Sequence, residues 1–252
     1  MARAGGNADP TEYLYGFHAL REALRAGSRP IVRLLVARQG GQFAEMVKLA
    51  RAARIPVQVE PRSALDRLVP GGKHQGIIGI VGAKRYADPD EILAYAQGCG
   101  EPPCVLILDG VEDPRNLGAI LRTAEAAGVQ GVFIPERRSA GLTPTVAKAS
   151  AGALEHLRVA SVPNLSRLIE QLQGAGLWVY ALDAAAPKPY TALDLRGPIA
   201  LVFGGEGKGV RQGVAGKCDE RAAIPLRGKV ASLNVSAAAA IVLFEVTRQR
   251  AG

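Results

Sequence analysis

The sequence predicts an α/β fold: a mostly parallel sheet covered by helices on both faces, preceded by a smaller α/β unit. Three observations carry this prediction. From residue 105 onward, short apolar runs of strand length alternate regularly with stretches of helical period, the pattern of strands joined by crossover helices. A cluster of breakers, Gly98, Gly100, Pro102 and Pro103, separates that stretch from a first block in which the same alternation is shorter. The 252 residues, 48% hydrophobic and 21% charged, suffice for a buried core without covalent staples.

In chain order, the first dozen residues read as a loose tail. Residues 16–26, GFHALREALRA, put Leu20, Ala23 and Leu24 on one helical face, and Gly27 stops the helix. A β-branched strand follows over 31–37, then a helix over 43–54 that groups Met46, Val47 and Ala50, then short strands at 57–59 and 77–81 around KHQG. Asp88-Pro89 suits an N-cap and first helical residue. Beyond the breakers, strands are expected at 105–108, 129–134, 157–160, 177–182 and 199–203. Helices are expected at 117–127, 145–154, 165–173 and 236–248. The last helix is apolar nearly all round, which predicts deep burial. The division expected is a flexible tail over 1–12, a first domain over 13–84, a linker over 85–103 and a second domain over 104–252.

Thirty-one Lys and Arg against 23 Asp and Glu give a formal charge of +8, so a polyanion is a natural partner, although a merely soluble basic surface has the same composition. Aromatic residues, at 5%, are too few for a stacking platform. Three cysteines cannot all pair and form no C-x-x-C couple, so a reducing cytoplasm is expected. The longest apolar run, residues 237–244, is far too short for a bilayer, and MARAGGNADPTEY has no signal-peptide core.

Ligands of open parallel sheets bind beyond the carboxyl ends of the strands, which directs attention to the loops after Leu108, Phe203 and Pro225. In LDGVEDPRNLGAILRTAEAAG, residues 108–128, Asn116 stands where an N-cap is expected and Gly128 at the stop. Arg122 lies off the buried stripe of Leu117, Leu121 and Ala124; a solvated arginine is the simplest reading of that segment alone. In IALVFGGEGKGV, residues 199–210, the glycines complete neither G-x-G-x-x-G nor G-x-x-x-x-G-K-[ST], so dinucleotide and nucleotide-hydrolysis sites lose support. Glycines around one acid suggest backbone passing close to a ligand with Glu206 projecting, or a turn with an exposed Glu. In IPLRGKVASLNVSAAAA, residues 224–240, a strand, a loop and an alanine-rich helix follow one another, and Ser232, Asn234 or Ser236 can cap the helix.

Together these loops resemble the SpoU (TrmH-like) branch of the SPOUT methyltransferases. The resemblance rests on NLGAILRTA from Asn116, LVFGGEGKG from Leu201 and IPLRGKVASLNVS from Ile224, in order and at family-like separations. KASAGALEH, YGFHALREAL and KHQGIIGIV extend it over nearly the whole chain. It is closest to the branch that methylates a guanosine of 23S ribosomal RNA.

The resemblance implies a second domain tied in a deep trefoil knot, against the general rule that chains are unknotted. It implies S-adenosylmethionine as methyl donor, held mainly by backbone at Gly204, Gly205, Ile224, Leu226 and Leu233, with no metal. The reaction implied is methyl transfer to a ribose 2′-hydroxyl of RNA. The residues implied in it are Arg122, Asn116, Glu206, Ser232 and Asn234, with Arg122 orienting substrate because a guanidinium stays protonated. A homodimer is implied, and a ribosomal-protein-like RNA-binding front domain in which Lys73, His74 and Gln75 are candidates for RNA contact. For His74 a backbone-bonded loop histidine is the simpler reading. Transfer RNA, a drug-binding ribosomal loop, or an inactive RNA-binding protein on the same scaffold remain alternatives.

Overall fold

The computed structural model describes residues 11–38 and 40–251. In chain order the elements are β1 (Thr11–Tyr15), α1 (Phe17–Ala26), β2 (Ile31–Val36), α2 (Ala44–Ala52), β3 (Val57–Val59), α3 (Arg62–Leu68) and β4 (Ile77–Gly82). Then come α4 (Pro89–Gly98), β5 (Cys104–Asp109), α5 (Pro114–Ala126), β6 (Gly131–Pro135), α6 (Pro144–Ala149) and β7 (Val159–Val162). The chain ends with α7 (Leu165–Gly174), β8 (Trp178–Leu182), β9 (Ile199–Gly204), α8 (Gln212–Ala215), β10 (Glu220–Ala222) and α9 (Val235–Arg250). Among the described residues no helix is long and apolar enough to cross a membrane.

Contacts divide the chain into two compact units, residues 1–85 with 142–156, and residues 86–141 with 157–252. This differs from the sequence reading in three places. The first ten residues of the expected tail lie outside the described residues, while Thr11 and Glu12 open β1, which pairs with β4. Most of the expected linker is not a linker: α4 belongs to the second unit, where Ile92 and Ala96 are fully buried in its core. Residues 142–156 leave the second unit and pack in the first.

The first unit is a four-stranded sheet in the order β1-β4-β2-β3, with β2 and β3 parallel and the other pairs antiparallel. Leu14, Leu20, Ala23, Leu34, Met46, Ile77 and Ile78 form its interior. The inserted segment is not one helix over 145–154. Thr143 caps α6, the helix stops after six residues, and a 3₁₀ turn, Ala153–Glu155, follows. That turn delivers Glu155 to Arg29: the guanidinium donates from Nε and Nη2 to the carboxylate at 3.1 and 2.8 Å, Ser28 adds a third bond, and neither charged side chain is exposed.

The second unit is a six-stranded sheet in the order β10-β8-β9-β5-β6-β7, parallel throughout. From β5 the chain steps outward through β6 and β7, crosses to the other side, and lays β9 against β5. The switch point is therefore the crevice between β5 and β9, where a parallel sheet leaves room for a ligand. The register sets Asp109 opposite Gly204, so both following loops leave the sheet at one level.

Candidate active site

Helix α5 begins earlier than expected. Asp113, followed by Pro114 at the first helical position, accepts from the Arg115 N–H and is the cap. Asn116 is thus a helical residue, not the N-cap, and its amide is free for other partners. It donates from Nδ2 to the Glu206 carboxylate and accepts at Oδ1 from Asn234 Nδ2 at 3.1 Å. Asn234 is itself the cap of α9, its Oδ1 accepting from the backbone N–H and hydroxyl of Ser236 at 2.9 and 2.6 Å. One polar chain, Asn234 to Asn116 to Glu206, joins the three loops.

The glycine loop after β9 lies against β5 at closest approach. The Gly205 N–H donates to the Asp109 carbonyl at 2.8 Å, and a Cβ on Gly205 would stand 1.8 Å from the Gly110 carbonyl oxygen. A Cβ on Gly204 would stand 1.8 Å from the Gly209 carbonyl carbon. Only glycine allows these approaches. Asp109, with its side chain fully buried, accepts from the Arg211 backbone N–H at 2.8 Å and from its Nε at 2.7 Å, clamping the far end of the loop to β5. Sequence reasoning missed this pair, although an Asp closing an otherwise apolar strand was a signal.

Beneath the loop lies a cavity of about 430 Å³. Gly204, Gly205, Ile224, Leu226 and Leu233 all line it, as do Glu206 and Ser232. Asn116 and Asn234 lie outside its lining and meet it through Glu206. Also on the wall are Asp183, Ala184 and Ala185, from the loop after β8. That loop was overlooked, although it too follows the carboxyl end of a strand. Residues 224–226, expected as a strand, are irregular and form cavity wall; the strand before them is the charged β10. Leu226 and Leu233 remain 38% and 41% exposed, apolar side chains facing an open site.

Arg122 is not brought to this group. It lies six residues beyond Asn116, about a third of a turn round α5 at ~100° per residue. It is exposed, with no hydrogen bond or ion pair among the described residues. Nor is α9 deeply buried all round: it packs on α5 and β9, yet Ile241 and Phe244, one helical turn apart, are 37% and 52% exposed. In the first unit, His74 is buried and both ring nitrogens are engaged. Nδ1 accepts from the Gly76 N–H at 3.1 Å, so Nε2 carries the proton and donates to Asp66 at 2.8 Å. Lys73 and Gln75 beside it are exposed.

Two family models match the chain: the SpoU rRNA Methylase family over residues 103–244, and RNA 2′-O ribose methyltransferase substrate binding over residues 13–87. YacO of Bacillus subtilis (strain 168), grouped with TrmH family tRNA/rRNA methyltransferases, is 44% identical over 241 residues, covering 95% of this chain and 96% of its own. Among solved structures, the AdoMet-bound rRNA methyltransferase from Sinorhizobium meliloti aligns with a TM-score of 0.79 at 27% identity, over 94% of this chain and 87% of that one. The SpoU methyltransferase AviRb from Streptomyces viridochromogenes, in complex with AdoMet, aligns at 0.82 and 23% identity, over 96% and 91%, a likeness of fold. The chain belongs to the SpoU family of RNA methyltransferases.

Proposed function

We propose that this protein transfers a methyl group from S-adenosylmethionine to a ribose 2′-hydroxyl of RNA, with a guanosine of large-subunit ribosomal RNA as the target, and that it works as a cytoplasmic homodimer. The observation that carries the reading is the polar chain Asn234–Asn116–Glu206 at the rim of a cavity walled by Gly204, Gly205, Ile224, Leu226 and Leu233. These residues suit the donor. The cavity is of ligand size, its glycines bring backbone close where side chains would block, and its half-exposed leucines offer apolar surface to an adenosyl group.

When bound, S-adenosylmethionine supplies an electrophilic methyl on a sulfonium. Gly204, Gly205, Ile224, Leu226 and Leu233 would hold it, and the chemistry it would supply is transfer of that methyl to the ribose oxygen, the sulfonium becoming a neutral thioether and the hydroxyl proton passing to solvent. The protein's task is alignment and charge management. Asn116 is held from both sides, by Glu206 and Asn234, so its amide is preoriented. Ser232 offers a hydroxyl on the cavity wall. Arg122 remains charged and binds the ribose oxygen and its neighbouring phosphate rather than taking a proton.

Because Arg122 is turned away from this chain's own polar group, it serves the site of a second copy. The exposed Ile241 and Phe244 on the neighbouring helix suit burial in such an interface. The trefoil threading implied by the family resemblance belongs to the same reading, with the glycine loop drawn tightly against Gly110. Arg122→Ala is expected to abolish tritium transfer from labelled donor to total RNA while calorimetric donor binding stays within about twofold. Near-normal turnover removes Arg122 from the mechanism. Mapping the 2′-O-methyl position in the product decides between ribosomal and transfer RNA, and sedimentation of the intact protein tests the dimer.

A further inference from the structure

The first unit brings together three residues far apart in the chain, Tyr15, Lys73 and Lys148, the last delivered by the inserted segment. Lys148 Nζ donates to the Lys73 carbonyl at 3.2 Å and sits 4.6 Å from the centre of the Tyr15 ring. Lys73 is exposed, and neither lysine has a carboxylate partner among the described residues. The loop that presents Lys73 is held rigidly. His74 spends both ring nitrogens on Asp66 and Gly76, and Gln75 accepts from the Phe17 N–H at 3.1 Å while its backbone sits in the left-handed region at φ 57°. For a non-glycine residue that conformation is strained.

Two cations side by side without an acid repel each other, and in the unbound fold the Lys73 carbonyl and the Tyr15 ring are what hold Lys148 in place. Partial burial, and then the neighbouring Lys73 charge, hold the Lys148 ammonium below the ordinary lysine pKa. An anion set between the two ammonium groups converts the repulsion into attraction. We propose that Lys73 and Lys148, beside the Tyr15 ring, bind a backbone phosphate of the RNA substrate. This rests on the RNA reading above and goes beyond it by joining Lys148 of the inserted segment, beside Tyr15, to Lys73 and by naming the group they hold. Lys73 is exposed and Lys148 half-buried, which suits a phosphodiester carried in by a polymer held elsewhere as well.

Filter binding of protein-free total ribosomal RNA between 50 and 200 mM KCl tests it, with Lys73→Gln, Lys148→Gln, the double variant, Lys148→Arg and, as a control for net charge alone, Lys48→Gln on α2. Each glutamine at the site is expected to weaken binding about 3- to 10-fold at 100 mM KCl, and the double variant to weaken it further and to lower the slope of log K against log salt by about 1, the single phosphate that the pair holds. Lys148→Arg restores binding, Lys48→Gln changes it less than twofold, donor affinity stays at the wild-type value, and every variant remains folded at the assay temperature, with a fall of a few degrees in melting temperature expected for Lys148→Gln from the lost carbonyl and ring contacts. A double variant with wild-type affinity and slope overturns the proposal. So does an equal loss in Lys48→Gln, or a loss in the double variant without change of slope. Absence of salt-dependent RNA binding by the wild type fails the RNA reading itself, a result distinct from these.

Discussion

Gly205→Ala tests the claim that the site depends on backbone meeting backbone. The added Cβ would lie 1.8 Å from the Gly110 oxygen and 2.6 Å from its carbonyl carbon, and both neighbours are main chain, so no side chain can rotate aside. Ordinary contact requires the two loops to part by about 1.5 Å. Parting them also breaks the Gly205 N–H bond to Asp109. Overpacking of this kind costs about 1–3 kcal/mol and the lost bond about 1. For a chain of this length the sum corresponds to a fall in melting temperature of roughly 5–15 °C. The same movement displaces Glu206, the next residue, so turnover is expected to drop about 100-fold even where protein remains folded. Calorimetry with S-adenosylmethionine and thermal denaturation are the assays. Gly213→Ala is the control: it sits in α8 with open space around it and is expected to be neutral or slightly stabilising. A Gly205→Ala protein that melts within a degree of wild type and binds the donor within twofold would refute the reasoning.

Asn116→Ala removes the link between Glu206 and Asn234, and turnover is expected to fall about 10- to 100-fold with a smaller effect on melting, since Asp113 still caps α5. Initial rates on total RNA decide it, an unchanged rate counting against the polar chain. Glu155→Gln leaves the buried Arg29 with Glu12, at 3.7 Å, as its remaining carboxylate and is expected to cost about 1–3 kcal/mol, read as a fall in melting temperature and as faster amide exchange over residues 142–156. A shift below one degree would mean that the pair contributes nothing. Iodoacetamide at pH 8 is expected to modify the exposed Cys99 first. Burial pushes the Cys104 thiol up to about 11; burial, with Asp219 and Asp109 nearby, pushes Cys218 up to about 12, so both stay protonated and unreactive until the protein unfolds. Equal labelling of Cys218 and Cys99, read by mass spectrometry, would contradict this.

What was legible in the sequence is what local chemistry determines. Asp88-Pro89 opened α4 as read, and the same pair of signals, Asp113-Pro114, opened α5; applying the rule there would have freed Asn116 from the capping role. The five backbone-binding candidates come from the family resemblance and not from periodicity, and all five line one cavity. Less legible were elements whose stability comes from neighbours. The strand Glu220–Ala222 is short and charged at a sheet edge, and the apolar Ile224–Leu226 after it, which reads as a strand, is spent on the cavity wall. Residues 142–156 look like part of the second domain in sequence, but Glu155 finds its charge partner 126 residues away, in the first unit. No window of local pattern contains that pairing.

The exposure on α9 follows from the same distinction. A helix apolar on every side is expected to be enclosed on every side, and within one chain Ile241 and Phe244 are not. Either the expectation is wrong for this helix or the enclosing surface belongs to another molecule. The second choice also accounts for Arg122, a charged side chain on the helix packed against α9 and turned from its own chain's polar group. A single interface would cover the apolar face and give Arg122 a site to serve. Ile241→Glu with Phe244→Glu is therefore expected to lower the sedimentation coefficient and turnover together while calorimetric donor binding persists. A double variant that stays dimeric, or a monomer that keeps full turnover, would separate the two observations and leave Arg122 without a role.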